Sequence, residues 1–319
     1  MTSPNLRSAY GASLVKLGKK EERVVALEAD LGKSTQSAMF QAEFPERYFQ
    51  MGIAEQNMAS TAAGLALSGM IPFIHSFAVF ASGRDYDQLR NSICIPKLPV
   101  RICGSSAGLS DYGDGKTHQG VEDAALMRAL PNMTVLCPAD SIEVEQMMEY
   151  MIDWPGPVYF RINRNDLPFV YPVGVPYHIG QVTKLRDGND AAIFGSGIMV
   201  SMALEAAKAL EAEGISARVL DISTIKPLDR EAVIAFASGV EAIVTAEEHS
   251  IIGGVGSAVV EALRGVSHAP VEFVGINDSF GLSAEGYNEL LAHFKLTPEA
   301  IADSVRTLLK GRIKCASVS

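Results

Sequence analysis

Cysteine is scarce in this 319-residue chain: Cys94, Cys103, Cys137 and Cys315 form no CxxC pair and have no histidine at metal-ligand spacing. This argues against a disulfide framework or a zinc site and fits a reducing cytoplasm. Lys and Arg never gather into a run, and the formal net charge is -10. Both features exclude an extended nucleic-acid surface and docking on acidic lipid. A phosphorylated substrate would therefore depend on a few locally placed cations. The opening MTSPNLRSAYGASL lacks a basic region followed by an apolar stretch, so no signal peptide is expected and the localisation expected is cytoplasmic. One absence is long: residues 57 to 83 contain no Asp, Glu, Lys or Arg. Length alone would suggest a membrane span, but Gly64, Gly69, Pro72, His75 and several Ser and Thr interrupt the stretch. It reads instead as a buried helix, a turn and a buried strand.

What is present is material for sizeable cores, with 48% hydrophobic and 20% charged residues over a length that suggests two domains. Short apolar runs alternate with helical patterns, the signature of strand-helix-strand units in an α/β fold. Strands are expected at 23–29, 48–53, 71–77, 99–105, 133–139 and 157–162. Helices are expected at 56–69, 84–94, 121–130 and 141–152, with Ser3-Pro4 as cap and first turn of an opening helix. Residues 167–178, rich in Pro and Gly and without periodicity, read as a linker. A second alternation follows, with strands at 191–197, 217–222, 242–248 and 271–276. The expectation is two doubly wound, mostly parallel sheet domains, 1–166 and 179–319.

Open parallel sheets bind ligands beyond the carboxyl ends of their strands, which directs attention to the residues just after each run. These are Asp30, Glu55, the stretch His75 to Phe80, Ser105-Ser106 and Asn163-Arg164, with Asp111, Asp114 and His118 in the loop that follows the fourth strand. Glu55 alone is ambiguous, because the helix dipole favours a carboxylate in any first turn. Met51, Met58, Phe77 and Phe80 could surround it with apolar surface, which favours a neutral, proton-sharing carboxyl. His75 could face such a site or be a satisfied core histidine. His249 reads as structural or interfacial, and Met147-Met148 as a buried helix face.

Several segments resemble transketolase in order and spacing. GIAEQNM, residues 52–58, resembles the segment bearing the glutamate that activates thiamine diphosphate; SFAVF resembles the aromatic stretch that holds the aminopyrimidine; GDGKTHQGVED resembles a substrate loop; INRNDLP resembles a phosphate-binding segment. DISTIKPLD and EEHSIIGGVGSAV are similar to the C-terminal domain shared with deoxyxylulose phosphate synthase and 2-oxo acid dehydrogenase beta subunits. The resemblance implies Glu55 as cofactor activator, Phe77 and Phe80 on the pyrimidine, and Asp30 near the cofactor. It implies Asp114 and His118 at the sugar hydroxyls and reacting carbonyl, and Arg7, Ser34 and Arg164 at a terminal phosphate. Ser106 stands where transketolases usually place a substrate-binding histidine.

Gly113-Asp114-Gly115 looks like the start of a diphosphate and Mg2+ motif but lacks its downstream asparagine partner, and reads as the substrate loop. The family's diphosphate-binding domain has no counterpart in this sequence. The resemblance therefore implies a second chain that supplies that domain and the Mg2+ ligands, in an α2β2 heterotetramer with the cofactor between subunits. The reaction implied is ketol transfer between sugar phosphates. Rivals are a 2-oxo acid dehydrogenase beta subunit, whose loops usually lack the DGKTHQ and NRNDLP pattern, and an inactive scaffolding partner of the diphosphate-binding subunit.

Overall fold

The computed structural model describes residues 5–171 and 176–316, so Ser3-Pro4 and part of the 167–178 segment lie outside the described residues. Every expected strand forms. In the first half these are β1 (Val24–Glu28), β2 (Tyr48–Gln50), β3 (Ile71–Phe77), β4 (Arg101–Ser105), β5 (Thr134–Leu136) and β6 (Val158–Ile162). All residues of β1, β3, β4 and β6 are buried, which is why they read as continuous apolar runs: helices cover both faces of a parallel sheet.

The second half supplies β7 (Thr183–Arg186), β8 (Ala191–Gly195), β9 (Ala217–Asp221), β10 (Thr224–Lys226), β11 (Ala242–Ser250) and β12 (Val271–Ile276). The first sheet runs β10-β5-β6-β4-β3-β1-β2 and the second β12-β11-β8-β9-β7. All pairings are parallel except β10 with β5 and β7 with β9. The alternation of apolar runs had indicated neither β7 nor β10. The latter carries the second half across to the edge of the first sheet, so the halves share a sheet instead of meeting only at a linker.

The helix Leu6–Lys20 is capped by Asn5, whose side chain accepts from Arg7 N, and it packs on Ser141–Asp153, capped in turn by Asp140. The single helix expected at 84–94 is instead a short α-turn, Tyr86–Gln88, running into a π-helix, Leu89–Cys94. Such wide turns often mark functional sites.

Polar groups also lock the halves together. The buried Arg161 donates to Asp123 Oδ2 at 3.0 Å and to the Glu248 carbonyl at 2.8 Å. Glu248 accepts from Leu109 N at 2.7 Å and from Asn163 Nδ2 at 3.1 Å. Burial pushes the Glu248 carboxyl up to about 7, against the pull of Arg161 and these donors. His249 is buried in the same junction, where Nε2 accepts from Ala125 N, and Met147 and Met148 are core residues.

Candidate functional site

The loop after β2 turns at Gly52 and the helix Glu55–Leu67 begins at once, placing Glu55 in its first turn and 99% buried. Its carboxylate is held from two sides. Ser76 Oγ, on β3, donates to Oε1 at 2.9 Å, and Arg84 Nη1 donates to Oε2 at 2.8 Å. Beyond the apolar surface that Met51, Met58, Phe77 and Phe80 suggested in the sequence, a charged partner, Arg84, stands at the carboxylate. Arg84 is also stacked, its guanidinium carbon 4.2 Å from the centroid of the Phe80 ring.

Phe77 and Phe80 leave the end of β3 on one face of the turn that begins the helix Ala78–Gly83, with rings 6.3 Å apart and inclined by 14°. His118 meets both edgewise, 6.1 Å from Phe77 and 5.4 Å from Phe80. Two glycines of its loop make that approach possible. A Cβ on Gly120 would lie 2.9 Å from Val79 N, and Gly115, at φ +73°, packs against Ser283 of the second half. Gln119 adds a brace by donating to the Asp111 and Leu282 carbonyls at 3.0 and 2.9 Å. Asp114 is exposed on this loop. Glu55, Phe77, Phe80 and His118, read from distant segments, therefore converge.

A second group forms beside the first helix. Arg7 Nη1 donates to the Ser34 carbonyl at 2.8 Å, Arg164 pairs with Asp111 at 2.5 Å, and Asn5 Nδ2 donates to the Arg164 carbonyl. Burial, then the nearby charge of Arg164, lowers the Arg7 guanidinium from its ordinary value, while Asp111 and Asp166 oppose this. The two guanidiniums are close enough to perturb one another, with Asp111 paired to Arg164 and Asp166 near Arg7. Arg7, Ser34 and Arg164 are thus brought together as well.

Asp30 follows β1 by two residues, at φ +66°, its N–H donating to Gln50 Oε1 at 3.0 Å; the same oxygen accepts from Gly52 N, which ties the Asp30 turn to the approach to Glu55. Ser106 is fully buried at φ +54°, with a hydroxyl that has no partner among the described residues. His75 belongs to the core: Nδ1 donates to the Leu27 carbonyl and Nε2 accepts from Tyr10, with burial lowering its imidazole to about 4.

Three residues escaped the sequence. Glu28, buried in β1, accepts from Ala29 N, Leu31 N, Thr35 and Ser37, fixing the loop that carries Asp30 and Ser34. Arg84 and Asp85 are the other two. Their one sequence signal is position, as they end the uncharged stretch. Asp85 is fully buried and neither carboxyl oxygen has a partner among the described residues. Burial pushes its carboxyl up to about 8; its own backbone N–H opposes this, the Glu55 charge adds to it, and Arg84 opposes it.

A buried carboxylate beside two aromatic rings suits a flat heteroaromatic ligand with a ring nitrogen, and comparisons with known proteins agree with that class. Residues 2–170 match the transketolase pyrimidine-binding domain and residues 180–301 the transketolase C-terminal domain. The chain belongs to the transketolase family. A protein of Methanocaldococcus jannaschii, provisionally assigned as a transketolase C-terminal section, is 43% identical over 309 residues, 96% of either chain. The 6-deoxy-6-sulfo-D-fructose transketolase subunit SqwH of Clostridium sp. strain MSTE9 is 41% identical over 276 residues, 86% of either chain. A split-gene transketolase solved as an inactive beta4 tetramer is 46% identical, with a TM-score of 0.87 over 96% of this chain and 98% of that one.

Proposed function

We infer that this chain is the pyrimidine-binding half of a thiamine diphosphate-dependent transketolase assembled from two polypeptides. The observation that carries this is the convergence of Glu55 with Phe77, Phe80 and His118, since one carboxylate and two ring faces form half of a cofactor site. The diphosphate and Mg2+ are assigned to a partner chain, in an α2β2 assembly. The similar split-gene transketolase, inactive as a beta4 tetramer, supports a requirement for that partner.

Thiamine diphosphate, when bound, would supply a nucleophilic carbon, the chemistry that transfer of a two-carbon ketol unit between a ketose and an aldose requires. Glu55 would hydrogen-bond the pyrimidine ring nitrogen and share a proton with it. Phe77 and Phe80 would hold the ring plane, and Asp30 is read, on the family resemblance, as lying near the cofactor. His118 donates to the oxygen where negative charge develops, and Asp114 meets a sugar hydroxyl. Arg7, Ser34 and Arg164 grip the terminal tetrahedral anion of the substrate by charge-assisted hydrogen bonds. Ser106 stands where a substrate-binding imidazole is usual, and its hydroxyl is unpartnered among the described residues but fully buried, so this chain would lack that imidazole contact to a substrate. The 41% identity to a subunit acting on a sulfonated sugar supports a substrate anion other than phosphate as a second reading.

The test is reconstitution. This chain, mixed with a diphosphate-binding transketolase chain encoded beside it, thiamine diphosphate, Mg2+, xylulose 5-phosphate and ribose 5-phosphate, should form sedoheptulose phosphate. Glu55→Ala should abolish product. Full activity of this chain alone, or undiminished activity of Glu55→Ala, would sink the reading.

A further inference from the structure

The two segments that carry Asp111 and Arg164 are joined by a residue of the other half. Glu248, in β11, is 3% exposed, and its carboxylate reaches across the junction: Oε1 accepts from Leu109 N at 2.7 Å and Oε2 from Asn163 Nδ2 at 3.1 Å. Leu109 stands two residues before Asp111, and Asn163 immediately before Arg164, so one side chain is bonded to both arms of the Arg164–Asp111 pair. The main chain makes room for it. Gly108 turns at φ +63°, and a Cβ there would lie 2.5 Å from the Glu248 Cδ.

Both donors are neutral, and Arg161 bonds the Glu248 carbonyl at 2.8 Å, not its carboxylate. Apolar packing would join the halves with less loss of hydration than a buried carboxylate. What the carboxylate offers instead is two acceptors at a fixed spacing and direction. Asn163 passes that constraint on: its Oδ1 accepts from Asn165 N at 2.8 Å, closing the turn that bears Arg164, and Asn165 Nδ2 donates to the Ser110 carbonyl at 3.0 Å. The Arg164 side chain is 27% exposed, so these bonds and Asp111 fix its place more than burial does.

We propose that Glu248 is a positioning residue for the substrate's terminal anion: by bonding Leu109 and Asn163 at once, the second half of the chain fixes the separation of Asp111 and Arg164 and so aims the Arg164 guanidinium. Glu248 touches no substrate atom and acts through Arg164. The proposal rests on the reading of Arg164 as a grip on that anion.

Glu248→Gln tests this, because it keeps an acceptor for Leu109 but turns an amide N–H toward that of Asn163, whose own oxygen is committed to Asn165. In the reconstituted two-chain enzyme, KM for xylulose 5-phosphate should rise roughly tenfold, while kcat and the KM for unphosphorylated xylulose stay unchanged. Added to Arg164→Gln, the same substitution should raise KM no further, since its effect runs through that guanidinium. The reciprocal swap, Glu248→Gln with Asn163→Asp, sets donor against acceptor again, and should bring KM back to within about threefold of wild type. Effects that multiply in the double variant, equal losses on both sugars, or a swap no better than Glu248→Gln overturn the proposal. Should Glu248→Gln alone fail to assemble, the swap decides: a near wild-type KM supports the proposal, and a KM as high as that of Arg164→Gln, or a swap that also fails to assemble, overturns it. Failure of the underlying reading looks different: Arg164→Gln by itself would then leave KM for xylulose 5-phosphate unchanged.

Discussion

The Arg84 guanidinium donates to the buried Glu55 carboxylate at 2.8 Å while lying 4.2 Å from the centroid of the Phe80 ring. One side chain thus covers both surfaces on which a cofactor pyrimidine would rest. Ser76 completes the carboxylate's shell from beneath, so Arg84 is the partner that can leave.

Arg84→Met should therefore destabilise the isolated chain, because it strands a buried negative charge. Breaking a buried pair costs roughly 3–5 kcal/mol, but Arg84 is 40% exposed and water can replace part of the loss. A fall of about 1–3 kcal/mol in unfolding free energy is expected from urea titration. The double variant Glu55→Gln with Arg84→Met should recover most of it, since no charge then remains buried. Additive losses would show that the two side chains are not coupled.

His118 touches both aromatic rings but contributes little burial of its own, so its replacement should separate chemistry from binding. In the reconstituted enzyme, His118→Ala should lower kcat by roughly 10²–10³-fold with KM changed little, as expected for a donor used where charge develops. Far-UV circular dichroism should be unaltered. A variant that raised KM and spared kcat would move His118 out of that role.

The Arg7 and Arg164 corner predicts a dependence on substrate charge. Charge-assisted hydrogen bonds contribute about 1.5–3 kcal/mol each, so Arg164→Gln should raise KM for an anionic sugar roughly ten- to hundredfold. For a neutral sugar of the same length KM should be unchanged. Steady-state kinetics with both donors decide it, and equal effects on the two would point to a general loss of structure around Asp111.

The strands were legible because both faces of a parallel sheet are apolar, as at Val24–Glu28 and Ile71–Phe77. β7 and β10 were not, since TKLR is half exposed and TIK is three residues long; neither carries a period that single-sequence reading can detect. The convergence of Glu55, Phe77, Phe80 and His118 followed from family spacing. What spacing could not give was the charge state around Glu55. In the sequence Arg84 and Asp85 only open the helix expected at 84–94, and tertiary packing alone shows that one reaches Glu55 while the other is sealed away. Ser106 was legible by position, but its left-handed backbone and unpartnered hydroxyl were not.

A last prediction concerns the junction of the two halves. Asp221, at the end of β9, is fully buried and accepts from Tyr171 at 2.6 Å, while Glu143, on the helix Ser141–Asp153, accepts from Ala139 N at 2.8 Å. One oxygen of each carboxyl lacks a donor, as two acids do when they face one another and share a proton. Burial, with the nearby Asp140 charge, pushes the Asp221 carboxyl up to about 7 against the Tyr171 and Glu143 hydrogen bonds; burial and Asp221 raise Glu143 as well. The folded state therefore holds more protons than the unfolded chain between about pH 4 and 7. This contribution is fully present below the unfolded value and is lost as pH rises through 7. Asp221→Asn keeps a hydrogen bond without the ionisation, so its unfolding free energy should fall less than that of wild type between pH 5 and 8. The comparison cancels Glu248 and Asp85, which also lose protons near that range, and His75, whose lowered value works in the opposite direction. Parallel curves for wild type and variant would show that Asp221 does not hold the proton.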